Sequence, residues 1–199
     1  DNRPYLFKTK DYGKTWTRIV DEKKVNGYAL CVLQDPAEPN LLFVGTEHGV
    51  FVSFDKGMSF QQWKNGFPSV STFDMVIQER EADLVIATFG RAIWVLDNIR
   101  PLRAIAKNKG ILPADRRIIA YGSPDVIQAE FKNAPGYEWS TWGIWDAANR
   151  PSGAPLTYHV NYLTGDTGKA KAKLDTVTVT IFSDKNEQVR TLRFKADSG

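Results

Sequence analysis

Two short motifs, 44 residues apart, constrain the fold of this chain more than any other feature. Thr9-Lys10-Asp11-Tyr12-Gly13-Lys14-Thr15-Trp16 and Ser53-Phe54-Asp55-Lys56-Gly57-Met58-Ser59-Phe60 both read S/T-x-D-x-G-x-S/T-aromatic. A self-similar unit at a period of about 40–50 residues is the mark of a propeller or solenoid array.

The motif has the chemistry of a tight hairpin turn. Its Asp carboxylate is expected to accept hydrogen bonds from backbone N–H groups one or two residues on. Gly13 and Gly57 supply a positive φ that side-chain-bearing residues adopt only at a cost. Thr9 and Ser53 offer a hydroxyl at the end of the incoming strand. Trp16 and Phe60 open the outgoing strand and are expected to bury apolar area between neighbouring units.

The similarity runs past the motif. Leu6-Phe7 matches Val50-Phe51, and Val32-Leu33-Gln34 matches Val76-Ile77-Gln78. Leu42-Phe43-Val44-Gly45-Thr46 matches Leu84-Val85-Ile86-Ala87-Thr88 at a spacing of 42, which sets Asp97 against Asp55 in a degenerate third copy. One unit therefore reads as four strands, near 28–34, 41–45, 49–54 and 59–63, the sheet of one propeller blade.

The motif resembles the Asp-box of the bacterial neuraminidase repeat, shared by sialidases, xyloglucanase-type glycosidases and sortilin-type propellers. Residues 83–102, with Thr88-Phe89-Gly90-Arg91-Ala92-Ile93-Trp94-Val95-Leu96-Asp97 at their centre, resemble the last blade of large secreted sortilin-like repeat proteins of bacteria. In that family a G-T-H-G-R-G-I-W-I-L-D-D segment closes the propeller. Phe89 stands here at the His position and Ala92 at the second Gly. Asn149-Arg150-Pro151-Ser152-Gly153-Ala154-Pro155-Leu156-Thr157-Tyr158 resembles the N-P-P-x-G-A-x-I-x-Y opening of the immunoglobulin-like domain that follows. The resemblance implies an exported protein: periplasmic, outer-membrane-associated or secreted.

The expected fold is all-β. Residues 1–103 are terminal blades of a propeller with four-stranded blades, 104–154 a connector, and 155–199 the first strands of a partial immunoglobulin-like sandwich. The connector carries turn signals at Asn108-Lys109-Gly110, Gly122-Ser123-Pro124 and Asn133-Ala134-Pro135-Gly136, with short strands expected at 117–121 and 126–131. Val177, Val179 and Ile181 alternate with Thr176, Thr178 and Thr180, the pattern of a half-buried antiparallel strand. No helix is expected beyond one turn within 101–109. Residues 5–20 supply two strands, 28–64 four and 72–97 three, whereas propellers close with about four to eight blades. The remaining blades and domains of a parent protein, or a companion chain, are the expected structural partners.

Charge excludes one class of partner. Residues 1–103 hold 13 basic and 13 acidic side chains, and 104–199 hold 13 and 10, with no basic stripe along the sequence. Nucleic acid is therefore not expected. No apolar run is long enough for a membrane span. His48 and His159 lack neighbouring ligands, so neither a metal nor another cofactor is expected. Cys31, the single cysteine, reads as a buried, unreactive thiol.

In propellers the Asp-box turn lies opposite the usual ligand surface, so Asp11 and Asp55 read as structural despite being paired carboxylates. The ligand face consists of the loops 21–27, Thr46–Gly49, Lys64–Pro68 and Thr88–Arg91. Its candidate residues are Glu47, His48 and Arg91. Trp139, Trp142 and Trp145 form a further candidate, as a carbohydrate platform or as anchors against a neighbouring domain. No catalytic residue is expected, because a glycosidase needs two carboxylates about 5–10 Å apart. The expected function is non-catalytic binding of a protein, peptide or glycan. The alternative is a fragment of a glycoside hydrolase whose carboxylates lie elsewhere.

Overall fold

The computed structural model describes residues 3–113, 115–116, 118–126, 153–160 and 176–195. The regular structure of the described residues is mostly strand, arranged in small antiparallel sheets with one short helix. The chain divides into two compact units, one of residues 1–112 with 121–157 and one of residues 113–120 with 158–199.

Among the described residues the first unit holds three sheets. Strands β1 (Leu6–Lys8) and β2 (Thr17–Val20) pair across the first motif. Strands β3 (Ala29–Gln34), β4 (Leu42–Thr46), β5 (Gly49–Ser53) and β6 (Gln61–Gln62) form a meander, with the second motif between β5 and β6. Strands β7 (Thr72–Gln78), β8 (Asp83–Thr88) and β9 (Ile93–Leu96) form the third sheet.

Every residue of β4 and β5 is buried. A central strand reads as a continuous apolar run when both faces are covered, and here both are. Val44 and Phe51 pack with Val20, Val25, Leu6 and Ile19 of the first sheet and its connection. Phe43, Val50 and Val52 pack with Met75, Ile77, Leu84 and Ile86 of the third. Each fully buried side chain of this size stabilises the fold by about 1.5–3 kcal/mol. Gly45 lets the sheets approach closely: a Cβ there would lie 2.8 Å from the backbone oxygen of Thr72. Cys31 sits at the same crossing, and burial pushes its thiol pKa up to about 11, against the pull of a hydrogen bond from the Gly45 backbone N–H and with the push of Asp74. The thiol is half-buried rather than enclosed, yet protonated and inert at neutral pH.

The ladders correct the sequence alignment by one residue. Val32 pairs with Val44 and Met75 with Ile86, so Met75, not Val76, takes the place of Val32. Both first strands carry a bulge at the same point, between Ala29 and Cys31 and between Thr72 and Asp74. A one-residue slip sends every side chain to the other face. With the slip removed, the row Leu33–Phe43–Val52 corresponds to Val76–Val85–Val95. The first row is covered by the third sheet. The second faces outward, with Val76, Val95, Phe73, Ile93 and Phe89 all exposed, the last at 72%.

The β8–β9 hairpin adds a residue to its loop and moves the next equivalence as well. Leu42 pairs with Ser53, and Leu84 with Leu96. Lys56 donates its N–H to the Asn40 oxygen at 3.0 Å, and Ile99 donates to the Ala82 oxygen at 2.7 Å. Asn98, not Asp97, therefore stands where Asp55 stands. Ile99 replaces Lys56, is 1% exposed, and turns the chain into the core.

There a helix begins. α1 (Arg100–Lys107) is eight residues long, where a single turn is the sequence expectation. Pro101 starts it rather than stopping it, because a proline in the first helical turn loses no hydrogen bond. Arg100 donates to the backbone oxygens of Glu81 (2.7 Å) and Arg80 (2.8 Å). Arg103 reaches the fully buried Asp35 at 2.8 Å, and Asn40 donates to the Ala106 oxygen at 3.1 Å. Asp35 and Asn40 lie in the connection between β3 and β4, so α1 fastens the third sheet to the middle one.

In the second unit β10 (Ile118–Ala120) pairs with β11 (Tyr158–Val160), and β12 (Thr176–Phe182) with β13 (Gln188–Lys195). The expected alternation holds at Val177, which is buried, and Val179, which is half-buried; Ile181 is exposed. No described helix is long and apolar enough to cross a membrane.

Candidate functional site

At one end of the first unit's sheets the connections between strands gather. The β4–β5 turn is a two-residue loop, Glu47-His48, closed by the pair Thr46–Gly49. Thr46 is fully buried, donates its hydroxyl to the Gly49 oxygen at 3.2 Å and accepts from the His48 N–H at 3.0 Å. Its hydroxyl thus satisfies a turn that the ladder alone leaves open. Glu47 Oε1 lies 3.6 Å from His48 Nε2. Gly27, at φ 78°, leaves room for both: a Cβ there would come within 2.9 Å of each side chain.

Neighbouring loops are tied to this turn. Ser71 donates its hydroxyl to the Glu47 oxygen at 3.2 Å, and its own carbonyl accepts from the Phe89 N–H at 2.9 Å. Gln62 donates to the His48 oxygen at 2.9 Å. The loop 21–27 is held by Asp21, whose Oδ1 accepts from the N–H groups of Lys23 (3.0 Å) and Lys24 (3.1 Å). The β8–β9 loop is three residues, Phe89-Gly90-Arg91, closed by Thr88, which donates to the Ala92 oxygen at 2.6 Å. Trp94 donates its indole N–H to the Arg91 oxygen at 2.9 Å, fixing the backbone that carries an exposed guanidinium.

Glu47 and His48 are in direct contact, and Arg91 lies on a loop joined to theirs through Ser71 and Phe89. Trp139, Trp142 and Trp145 lie outside the described residues. Residues that sequence reasoning missed are Ser71 and Gly27, which hold the loops together. Gly27 stood in a segment read as ligand-facing, and its glycine could have signalled the close approach.

The Asp-box turns occupy the other end of the same strands. Thr9 donates to Asp11 Oδ1 at 2.9 Å and accepts from the Gly13 N–H at 2.8 Å. Asp11 Oδ1 accepts from the Thr15 N–H at 2.8 Å, and Oδ2 from its hydroxyl at 2.6 Å. Ser53, Asp55, Gly57 and Ser59 repeat each bond at 2.8, 2.8, 2.9 and 2.6 Å. The carboxylate thus caps a residue four positions on, not one or two. Positive φ falls on Tyr12 and Lys56 as well as on Gly13 and Gly57. Trp16 does not bury the expected apolar face: it is 60% exposed and donates to the Gly13 oxygen at 3.0 Å. Phe60 packs beside Val44 and Phe51 as expected.

Bonds from the Thr15 hydroxyl and N–H hold the Asp11 carboxyl below its ordinary pKa. At Asp55 burial is the largest influence and pushes upward. The bonds from Ser59, Ser53 and Met58 together outweigh it, so this carboxyl also lies below the ordinary value. Carboxylates held ionised by three local bonds each have no proton to give near neutral pH. The loop end offers Glu47, His48 and Arg91 as one acceptor, one imidazole and one cation, a set suited to holding polar ligand groups. Among the described residues no group of three His, Cys, Asp or Glu could hold a metal ion. No family model, curated protein or solved structure matches the chain.

Proposed function

We propose that the chain is a non-catalytic binding and scaffolding module of an exported protein, in which residues 1–103 are blades of an Asp-box β-propeller and an immunoglobulin-like domain begins near residue 155. Its ligand, a protein, peptide or glycan, is held on the loop face around Glu47, His48 and Arg91. The observation that carries this reading is the middle sheet β3–β6, covered on both faces by neighbouring sheets, of which β7–β9 repeats its bulge and its ladder. Radial repetition of sheets around an axis produces that pattern. The outward apolar row Val76–Val85–Val95 calls for a further blade, from the parent protein or a companion chain, since its counterpart in the middle sheet is covered.

Binding is tested with the full chain on glycan and peptide arrays, followed by titration of the best hit. Glu47→Ala and Arg91→Ala are expected to weaken that hit about tenfold or more, the loss of charged contacts worth roughly 1.5 kcal/mol each. Asp11→Asn is expected to leave it unchanged. Hydrolysis of any glycoside by the chain would reject the non-catalytic reading.

A further inference from the structure

Four lysines that are scattered in the sequence meet in one cleft. Lys8 at the end of β1, Lys10 in the first Asp-box, Lys56 in the second and Lys109 just after α1 all line a groove of about 680 Å³. The groove opens at the Asp-box end of the sheets, away from Glu47 and His48. The balanced charge of residues 1–103 conceals this concentration, which only the fold creates.

The field in the cleft is compensated only in part, four cations against one carboxylate. None of the four lysines forms an ion pair or a side-chain hydrogen bond with another described residue. One carboxylate lines the groove, Asp55, and both its oxygens are engaged by Ser53 and Ser59. Like charges gathered around a groove repel one another and draw in anions.

Local backbone demands do not account for these lysines. Lys56 and Lys109 sit at φ 61° and 53°, in the left-handed region where Asn or Gly is conformationally cheaper. Their backbones are nonetheless fixed, Lys56 by its bond to Asn40 and Lys109 by one to the Ala106 oxygen at 2.9 Å. Two cations are thus carried on rigid stems at positions that favour other residues.

We infer that this cleft is a binding site for an acidic peptide segment, a run of Asp and Glu in extended conformation. The rest of the lining favours a peptide over an acidic glycan. No aromatic ring lines the groove, so a sugar has nothing to stack on, whereas Ile19, Pro39 and Met58 give an apolar floor between the charges. Methionine adapts to varied side chains. The cations are lysines, point charges that accept carboxylates at any angle, rather than the bidentate forks of arginine that suit phosphate. The inference stands on the Asp-box end and is independent of the ligand proposed for the loop end.

The test is fluorescence anisotropy of a labelled octaglutamate peptide titrated with the full chain at low and at physiological salt. Saturable binding that weakens with salt is expected. Lys8→Gln, Lys56→Gln and Lys109→Gln combined are expected to weaken it about tenfold, three exposed pairs at roughly 0.5 kcal/mol each. The combination Lys23→Gln, Lys185→Gln and Lys195→Gln removes the same charge elsewhere and is expected to leave binding unchanged. Arginine at the three cleft positions is expected to preserve it. Absent saturable binding, or equal weakening by both glutamine combinations, would overturn the site. Tighter binding of a heparin fragment or of polyphosphate, lost in the cleft combination, would overturn the peptide as its occupant.

Discussion

The two Asp-box turns use the same hydrogen bonds in different surroundings. Corresponding distances agree within 0.1 Å, 2.9 against 2.8 Å for the hydroxyl–carboxylate bond and 2.6 Å for both Oδ2 bonds. Yet Gly13 is exposed and Gly57 is buried, and Trp16 stands in solvent while Phe60 joins a core. The geometry of the turn is therefore set by its own eight residues. What packing decides is how much the rest of the fold depends on it.

That contrast can be broken at its strongest point first. Phe60→Ala is expected to destabilise the chain by about 2–3 kcal/mol and Trp16→Ala by about 1 or less, because only the first removes packed area. Urea denaturation of the full chain measures both, and equal midpoints would abolish the contrast. Gly57→Ala comes next, at about 2 kcal/mol, since the added methyl meets a positive φ and Ile19 Cδ1 at 3.1 Å. Gly13→Ala meets the same φ penalty with its nearest atom at 3.7 Å, and is expected to cost about 1 kcal/mol. A smaller difference separates Ser53→Ala, about 2 kcal/mol, from Thr9→Ala, about 1, because the N–H orphaned in the first case is buried.

The smallest effect is in acid. Both carboxyls titrate below the ordinary value of 3.8, so their bonds stabilise the fold above about pH 4 and fade as pH falls through the lower folded values. Asp55→Asn is expected to flatten the loss of stability between about pH 4 and pH 2. Thermal melts across that range read it, and parallel curves for variant and parent would remove the carboxylate from the account.

Much of this architecture was legible because the motif fixes its own turns. The strand sets around residues 28–64 and 72–97 and the end at which Glu47 and His48 project follow from two turns and an alternating pattern. The register did not. Val32-Leu33-Gln34 and Val76-Ile77-Gln78 match as letters, but the pleat pairs Val32 with Met75, because strands β3 and β7 share a bulge that letters do not mark. The helix escaped for a related reason. Pro101 is a breaker inside a strand and a starter in a helix, and only the preceding turn tells which. Arg103 and Asp35 are 68 residues apart, so their contact had no local signal, although Asp35-Pro36 does announce the turn in which Asp35 accepts the Ala37 and Glu38 N–H groups. Of the candidate site, the tip residues were visible and the serine joining the loops was not, since one hydroxyl among many carries no pattern.

The fastening of α1 has a mechanical meaning. Strand pairs joined only by hairpins unzip one bond at a time when their ends are pulled. Here a pull applied beyond residue 107 is met first by Arg103 on Asp35, by Asn40 on Ala106 and by Arg100 on the β7–β8 turn, all loaded together. Bonds loaded in parallel share force that bonds in series bear singly. The helix turns the second and third sheets of the first unit into one body that shares such a load.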